Sequence, residues 1–434
     1  MAEQWSSKTA FVLASIGAAV GLGNIWRFPY IASENGGIWF FIPYLACLAI
    51  IGIPLFLMET GQGFREKKSF AKSVWQTKNI PFLKRPIREA LGFFPVIVSL
   101  VITGYYMVLC AWTLWFAGNF LLGSAPSFQH MQSDFSPIAY FILIFAAAYF
   151  TVFRGISKGI EPITGKLVPL LFISLVILAA YACTLDGAVD SFRQNAFSGA
   201  EKIFEPRTWY YALSQVLFSL SVGYGIMFTY GMHLKRGKDI FSSSIQVAGA
   251  DTAASALAFV AVAMLASTLS SPGTGLALSF ETLPLFFLSQ GILGAIVGAL
   301  FFGLLFAAAF TSVISMVEHV NVSFVTFGKK WGAIAGAGIF LVGMLSALSY
   351  SPLTLSMFGK PFLDLFDFFF GSFLAPFSAL AVAISCAYLL PHKGISGAIG
   401  LPPRYDGYFA FASRVLVPIA LLLIVIFSQI SGLY

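Results

Sequence analysis

Residues Gly17 to Pro29 read GAAVGLGNIWRFP, and this stretch decides the fold. It lies inside a long apolar run of the kind that crosses a membrane as a helix, yet three glycines fall within the seven residues 17–23. Each glycine inside a helix costs up to about 1 kcal/mol relative to alanine, so this is the weakest part of the run. The stretch therefore predicts a membrane helix that breaks near its middle.

A second stretch of the same kind, Phe218 to Gly225 (FSLSVGYG), lies in the other half of the chain, so that VGLG at 20–23 is echoed by VGYG at 222–225. Paired glycine-interrupted spans indicate a binding site between two inverted repeats. Freed carbonyls there can hold a cation, and a half-helix N-terminus can hold a carboxylate. The alternative is close packing of small residues, of the GxxxG type. Polar residues beside the breaks, Asn24 and Ser219, favour the binding site.

Composition places the whole chain in a membrane. Of its 434 residues, 58% are hydrophobic and 10% are charged. Soluble domains carry roughly 25% charged residues, so this chain cannot cover itself with a water-facing surface. Continuous apolar runs of about 20 residues predict an all-α polytopic membrane protein rather than a β-barrel of short alternating strands. We expect eleven spans, near residues 8–34, 38–64, 91–122, 137–153, 161–184, 208–233, 242–270, 290–326, 332–351, 361–390 and 408–431.

Basic residues predict the orientation, because they concentrate in alternate loops. These loops hold Arg65, Lys67, Lys68, Lys72, Lys78, Lys84, Arg85 and Arg88, then Arg154 and Lys158, then Lys235, Arg236 and Lys238, then Lys329 and Lys330, then Lys393 and Arg404. The positive-inside rule puts the N-terminus in the cytoplasm and, with an odd number of spans, the C-terminus outside a cell (inner) membrane. The first span is expected to be retained rather than cleaved as a signal. Topology then explains the net charge of +7 without a nucleic-acid partner.

The eighth span carries a cluster of small and polar residues. Its members are Ala308, Thr311, Ser312, Ser315 and Met316, and spacings of three and four put them on one helical face. Two neighbouring hydroxyls can both reach a small hard cation, which prefers oxygen ligands. The alternative is that these hydroxyls bond to the carbonyl four residues earlier, as is common in membrane helices.

Five ionisable residues fall at apparent membrane depth, where charge is costly and marks functional candidates. They are Arg27, Glu59, Asp251, Glu318 and Asp367. Asp251 shares a helical face with Ser255, four residues on. Arg27 and Asp367 have opposite charge near the outer ends of their spans and could close a pore from outside. Glu59 and Glu318 are alternatively buried structural acids near the cytoplasmic side.

At these residues the sequence resembles the neurotransmitter:sodium symporters, the LeuT-like family. The first-helix signature is GAAVGLGNIWRFP followed by Glu34-Asn-Gly-Gly37, and further matches run almost the length of the chain. They are Ile42-Pro-Tyr44, Gly52-Ile-Pro54, Tyr105-Tyr106, Arg154-Gly-Ile-Ser-Lys-Gly-Ile-Glu161, Phe218-Ser-Leu-Ser221 and Thr311-Ser312. The resemblance implies a LeuT-type 5+5 inverted repeat with broken first and sixth helices. Residues 1–185 would form the first repeat, 186–390 the second, and 391–434 a cytoplasmic loop with an eleventh helix.

The resemblance also implies two sodium sites and a substrate site. One sodium site would use Ala19, Asn24, Ser219 and Asp251, and the other Gly17, Val20, Ala308, Thr311 and Ser312. The substrate would lie between the breaks, its ammonium at the carbonyls of Ala18, Phe218, Ser219 and Ser221 and its carboxylate at Tyr106 and the Leu22 and Gly23 amides. Ala19, Gly21, Ile102, Val222, Tyr224 and Met316 would complete the pocket. The gates would be Arg27 with Asp367, Phe218 as an aromatic lid, and Trp5 on the inner side.

Three departures from the family pattern matter. Relatives that carry biogenic amines have an aspartate where this chain has Ala18, so the substrate must bring its own carboxylate. Ser255 alone would predict a chloride requirement, but Asp251 stands one turn away and can supply the negative charge, so we expect chloride independence. The inner pair of an arginine and an aspartate is replaced by Ala2 and Thr326, which leaves Trp5 to close that side by packing.

The function that follows is symport of neutral L-amino acids with sodium, by alternating access across a lipid bilayer. The chain is not expected to be an enzyme, since it lacks HExxH, GxSxG and phosphate-loop motifs. A non-transporting amino-acid sensor or scaffold of the same fold is the alternative. The sequence leaves open which neutral amino acid is bound, and whether the protein oligomerises.

Overall fold

The structure is a computed structural model that describes residues 3–77, 84–269, 277–392 and 394–431. Four residues named above, Ala2, Lys78, Lys393 and the side chain of Lys238, lie outside what is described.

Helices that cross the molecule dominate the described residues. Nine are long and apolar enough to span a membrane, and two further spans are each made of two shorter helices. In chain order, the spans are Lys8–Ala19 with Gly23–Glu34, Gly37–Glu66, Arg85–Leu121, Ser136–Phe153, Ile156–Cys183, Pro206–Ser219 with Ile226–Met232, Ile240–Ser267, Gly291–Val325, Lys329–Ser349, Phe362–Leu389 and Pro403–Phe427. We refer to them as spans 1 to 11. The predicted all-α polytopic architecture with broken first and sixth helices is confirmed, whereas the division into repeats at residues 185 and 390 stays a prediction.

Several short elements between the spans were not predicted. They are Phe70–Gln76, Phe128–Gln132, Ala188–Ala196, Leu278–Ser289 and a hairpin of Ser356–Met357 with Lys360–Pro361. A search for apolar runs of about 20 residues misses them because each is shorter than the hydrocarbon core is thick. Span 3 also begins at Arg85 rather than near residue 91, since a helix can continue into water on charged residues.

Aromatic rings and glycines pack the long spans 3 and 8 together. The rings of Phe116 and Phe302 stack with centroids 4.7 Å apart. Gly298 lies directly against the ring of Phe120, where an added Cβ would be 2.9 Å from ring carbons. Large rings on one helix thus fill the space that a small residue leaves on the other, and the two helices form a closely packed wall beside the broken spans.

The first break follows directly from the glycine-rich stretch. The helix Lys8–Ala19 ends at Val20, whose backbone is extended, with φ −78° and ψ 98°. A wide π-type turn, Gly23–Arg27, then leads into the helix Phe28–Glu34. The two halves meet at an angle of 53°.

The second break needs the left-handed backbone conformation. Ser221, Gly223 and Gly225 have φ of 52°, 88° and 88°. Gly223 also touches span 10, because an added Cβ would lie 2.5 Å from the Cβ of Ala379. Conformation and space therefore both require glycine at residue 223.

The two ends of the helical bundle differ in charge. At one end, which we call the basic end, the N-terminal residues meet the start of span 5 and the end of span 6, and the end of span 2 bonds to the segment that follows span 6. Examples are the bonds from the Trp5 amide to the His233 carbonyl, 3.1 Å, and from Lys67 to the Leu234 carbonyl. At the opposite end, Lys202 Nζ bonds to the Glu34 carbonyl at 2.6 Å.

We expect Gly223→Ala to lower the free energy of unfolding by at least about 2 kcal/mol, because it adds left-handed strain and a clash with Ala379. The matched control is Gly165→Ala, in a helical position with no other group within 4 Å of the new Cβ. That change should be neutral or stabilise by up to about 1 kcal/mol. The measurement is the midpoint of thermal unfolding of purified protein in detergent. Equal midpoints for the two variants would contradict the role given to Gly223.

Candidate functional site

The two breaks lie side by side and are joined by hydrogen bonds. The Ser221 hydroxyl donates to the Ala18 carbonyl at 2.6 Å, and Gln215 Nε2 donates to the Gly23 carbonyl at 3.0 Å. The Ala18 carbonyl, at the end of the first half-helix, is thus paired from span 6. The Gly23 carbonyl gains the Gln215 bond in addition to its helical bond from the Phe28 amide. The site is built on backbone groups that the breaks set free.

Spans 2 and 10 hold the unwound part of span 6 from the other side. The fully buried Glu59 accepts a hydrogen bond from the Gly223 amide, and the Ser378 hydroxyl donates to the Gly223 carbonyl at 2.9 Å. Glu59 was expected to be functional or a structural acid near the cytoplasmic side. The structure instead places its carboxylate at the break itself.

A first group of oxygens surrounds the side-chain amide of Asn24. Asn24 Nδ2 lies 2.8 Å from Ser219 Oγ, 2.8 Å from Asp251 Oδ1 and 2.9 Å from Ser255 Oγ. Ser219 Oγ also donates to Asp251 Oδ1 at 2.6 Å, and Tyr44 donates to Asp251 Oδ2 at 2.8 Å. All five side chains are essentially inaccessible to solvent. A buried carboxylate with hydroxyl and amide neighbours is the environment that a small hard cation prefers.

The orientation of the Asn24 amide is set by span 1. Asn24 Oδ1 accepts from the Gly21 amide at 3.1 Å, which turns Nδ2 towards the oxygens. An amide nitrogen has two hydrogens, yet at least three oxygens lie within 2.9 Å of this one. The oxygens are therefore more numerous than the donor can satisfy.

A second group of oxygens joins spans 1 and 8. Ser312 Oγ lies 3.4 Å from the Gly17 carbonyl and 3.2 Å from the Ala308 carbonyl. Thr311 Oγ1 lies 3.1 Å from the Ala308 carbonyl. Val20, which follows the helix that contains Gly17, is fully buried. The hydroxyls bond back along their own helix, as the alternative interpretation expected. Such a bond uses only the hydroxyl hydrogen and leaves the oxygen lone pairs available.

A cavity of about 470 Å³ lies between the breaks. Twelve of the thirteen residues predicted for the substrate site line it: Ala18, Ala19, Gly21, Leu22, Gly23, Ile102, Tyr106, Phe218, Ser221, Val222, Tyr224 and Met316. The exception is Ser219, whose hydroxyl is committed to Asp251. Tyr30 and Glu34 also line the cavity, so it extends towards the opposite end of the molecule.

Within the cavity, the Leu22 amide donates to the Tyr106 hydroxyl at 3.2 Å. Gly21 lets span 1 approach closely here, because an added Cβ would be 3.0 Å from the Tyr106 oxygen and 2.9 Å from Ser312 Oγ. An unwound amide, a phenol and a serine hydroxyl thus converge on one point. These groups can bind a carboxylate.

Arg27 and Asp367 both line the cavity above this point, but they do not form the ion pair expected of a closed gate. Arg27 instead donates to Gln215 Oε1 at 2.7 Å and to Ser214 Oγ at 3.1 Å. Its guanidinium carbon lies 5.4 Å from the centre of the Phe218 ring. Gln215 and Ser214, on the helix Pro206–Ser219, thus bind the guanidinium group that was expected to pair with the Asp367 carboxylate. The sequence did not identify these two residues as part of the gate.

Trp5 lies at the basic end and is buried, with 2% of its surface exposed. Its indole nitrogen donates to the Tyr230 carbonyl at 2.9 Å, and its ring meets the edge of Tyr230 at 5.1 Å. The cavity is therefore separated from the basic end by packed side chains.

Comparison with known proteins agrees with this geometry. The model of the sodium:neurotransmitter symporter family matches residues 2–127 and 128–432. An uncharacterised sodium-dependent transporter of Methanocaldococcus jannaschii is 30% identical, over 89% of this chain and 82% of that protein. The sodium-dependent neutral amino acid transporter B(0)AT2 of Pongo abelii is 27% identical, over 59% of this chain and 40% of that protein.

A solved structure is similar over nearly the whole chain. The crystal structure of MhsT in complex with L-phenylalanine superposes with a TM-score of 0.84 at 31% identity. The match covers 98% of this chain and 99% of MhsT. The overall fold is therefore shared with a protein whose structure contains bound L-phenylalanine.

Proposed function

Because the chain belongs to the sodium:neurotransmitter symporter family and has the LeuT-type fold, we propose that it carries neutral L-amino acids into the cell with two sodium ions, by alternating access. The observation that carries this proposal is the cavity between the breaks, with a group of buried oxygens on either side of it. Sodium-coupled transport is the activity of the family; the substrate, the number of ions and the residue roles are our proposal.

A neutral amino acid fits the chemistry of the cavity. Its carboxylate would replace the Tyr106 hydroxyl as acceptor for the Leu22 amide, and its ammonium would face the Ala18 carbonyl. The side-chain end is bounded by apolar Ile102 and Val222. A charged side chain would be buried there without a partner, at a cost of several kcal/mol. B(0)AT2 is named as a neutral amino acid transporter and MhsT is bound to L-phenylalanine, and both agree with a neutral amino acid as the substrate.

The first sodium ion would take the place now held by the Asn24 amide nitrogen, among Ser219, Asp251 and the Ala19 carbonyl. For this the amide must rotate, because Asn24 Oδ1 now faces the Gly21 amide. Sodium would then be bound by the amide oxygen, and the Gly21 amide would be released to the substrate side of the break. Binding of the ion and preparation of the substrate site are coupled through this one side chain.

The second sodium ion would lie between spans 1 and 8, held by the carbonyls of Gly17, Val20 and Ala308 and the hydroxyls of Thr311 and Ser312. The two carbonyls of Gly17 and Val20 come from span 1, which must move in alternating access. The other three groups come from span 8, which packs against span 3. Sodium at this position would join the moving and fixed parts. Its loss would free the inner half of span 1 to move.

Charge balance favours chloride independence. Asp251 carries a buried negative charge beside the first sodium position and is held by Tyr44 and Ser219. One carboxylate matches the charge of one cation, so no second acid is required at Ser255, one turn on, which accepts a hydrogen bond from Asn24. Asp251 would therefore be both a ligand and the compensating anion.

The proposed orientation follows the basic loops, with the basic end and the N-terminus in the cytoplasm and the C-terminus outside. The cavity then extends towards the outside, and Trp5 closes the inner side. Closure over the substrate would bring Arg27 from Gln215 to Asp367, with Phe218 below it. Two sodium ions entering with a zwitterion gain about 4.6 kcal/mol per 100 mV, enough for about three decades of accumulation.

The direct test is uptake of pooled labelled neutral amino acids into proteoliposomes with an inward sodium gradient, in chloride and in gluconate. We expect equal accumulation in the two buffers. Asp251→Asn should lose uptake in gluconate and recover part of it in chloride, because the carboxamide leaves the buried cation uncompensated. Thr268→Val, at the far end of the same helix, where the hydroxyl donates to the Leu265 carbonyl, should behave as the unaltered protein.

Three results would contradict parts of the proposal. Sodium-dependent binding without accumulation would favour the sensor of the same fold. Accumulation that requires chloride in the unaltered protein would overturn the role of Asp251 as the compensating anion. Equal chloride-free transport by Asp251→Asn would do the same.

We further expect sodium to stabilise the protein, with a slope of unfolding free energy against the logarithm of sodium concentration that is proportional to the number of bound ions. At saturating sodium, the free energy of unfolding should rise by about 1.4 kcal/mol per decade of sodium for each bound ion, hence about 2.8 kcal/mol for two. Ser312→Ala should halve this slope. The control is Ser315→Ala on the same helix, whose hydroxyl donates to the Ser312 carbonyl at 2.7 Å and is not among the proposed sodium ligands. The measurement is thermal unfolding against sodium at constant ionic strength with choline, and equal slopes for both variants would exclude the second site at Ser312.

A further inference from the structure

The N-terminal segment Glu3–Ser7 lies across the basic end and has two attachments to span 5 and a third to the end of span 6. Glu3 Oε2 accepts from the Ile156 amide at 2.7 Å, at the start of span 5. Ser6 donates to the carboxylate of Glu161 through its amide at 2.7 Å and its hydroxyl at 2.5 Å. The segment precedes the inner half of span 1 directly, so its contacts restrain that half-helix.

The third attachment is to the end of span 6, at His233. The Trp5 amide donates to the His233 carbonyl at 3.1 Å, and the His233 ring nitrogen Nδ1 lies 2.8 Å from the Glu3 carbonyl. The other ring nitrogen, Nε2, lies 3.3 Å from Glu318 Oε1 on span 8. The side chains of His233 and Glu318 are each only 7% exposed. The imidazole thus contacts the N-terminal segment through Nδ1 and places Nε2, which has no hydrogen-bond partner, beside a carboxylate of span 8.

The partners of the two His233 ring nitrogens determine how many protons the pair must hold. A carbonyl oxygen only accepts hydrogen bonds, so the proton of a neutral imidazole must be on Nδ1, facing Glu3. Nε2 would then present a lone pair to a carboxylate oxygen, and two acceptors 3.3 Å apart in a buried place repel. The contact is favourable only with one more proton, on the imidazole or on the carboxyl group. With the basic end closed, the pair therefore holds one proton more than a neutral His233 and an ionised Glu318 would hold together.

We propose that the pair formed by His233 and Glu318 is a positioning device for the inner gate, which closes by taking up one proton from the cytoplasm. This rests on the orientation given under the proposed function. When the N-terminal segment leaves, His233 meets water and returns the proton to the same side. The proton regulates closure and is not carried across the membrane.

Other charged groups face the pair without replacing the proton. Lys67, at the end of span 2, binds the Met232 carbonyl at 3.3 Å and the Leu234 carbonyl, so its charge opposes an imidazolium nearby. The carboxylate of Glu3 favours the imidazolium but is bound to the Ile156 amide. Tyr230, in the helix that ends just before His233, also faces Glu318.

The sign and size of the effect follow from linkage. The closed state binds one proton more than the open state, so closure is favoured as the pH falls. With an ordinary histidine pKa of about 6.5 in the open state, the protonated fraction falls about 25-fold between pH 6 and pH 8. The equilibrium constant for closure should fall by the same factor.

The test is hydrogen–deuterium exchange of the peptide covering residues 3–11, in the full-length protein in nanodiscs without sodium, at pH 6 and pH 8. After correction for intrinsic exchange, we expect protection to be about 25-fold greater at pH 6. Glu318→Gln should retain high protection at both pH values, because a carboxamide can donate to the neutral imidazole or accept from the charged one. His233→Gln should lower protection at pH 6 and remove the pH dependence.

The control is His392→Gln, a partly buried histidine bonded to Ser413, which should keep the pH dependence of the unaltered protein. The proposal is overturned if the unaltered protein changes by less than about 3-fold. Retention of the full change in Glu318→Gln would overturn it as well, and this variant decides the question even if His233→Gln does not fold. Exchange requires no transport, so a failure of sodium-driven uptake in the same preparation is a separate result.

Discussion

Inside a membrane every backbone amide and carbonyl must find a partner within the protein, and the two broken helices meet this constraint in an unusual way. An unpaired buried group costs about 1–3 kcal/mol, so a helix breaks there only where other groups replace its bonds. Ser221 does so for span 1. Glu59 and Ser378 do so for span 6. The buried polar network of the protein is largely a consequence of these replacements.

The same requirement explains why a coupled transporter can be built here. Groups that pair the backbone at a break are already dehydrated and held in place, which is what binding a bare cation needs. The Asn24 amide shows the connection most clearly, because one face contacts the Gly21 amide at the break and the other faces Asp251. Rotation of this amide changes its contacts with the Gly21 amide and with Asp251 at the same time. Coupling between ion and substrate then needs no long pathway.

Sequence and structure agree where the physical signal is long or specific. Apolar length located the spans, and the glycine pairs located both breaks, because hydropathy and helix propensity act locally. The gathering of twelve predicted residues around one cavity came from family resemblance, since no local pattern brings Ile102 beside Val222. Glu59 and Ser378 were not assigned to the break because their partners are backbone groups 155 or more residues away. The bonds of Arg27 to Gln215 and Ser214, rather than to Asp367, depend on the state of the gate, which a sequence does not encode.

The central claim is that sodium ions and an amino acid move together through the site between the breaks. Its most direct test is a dual-label measurement in one set of proteoliposomes, in which initial rates of labelled sodium and labelled amino acid entry are recorded under a clamped membrane potential. The account predicts that substrate stimulates sodium entry and that two sodium ions enter for each amino acid. Amino-acid entry without accompanying sodium would contradict it.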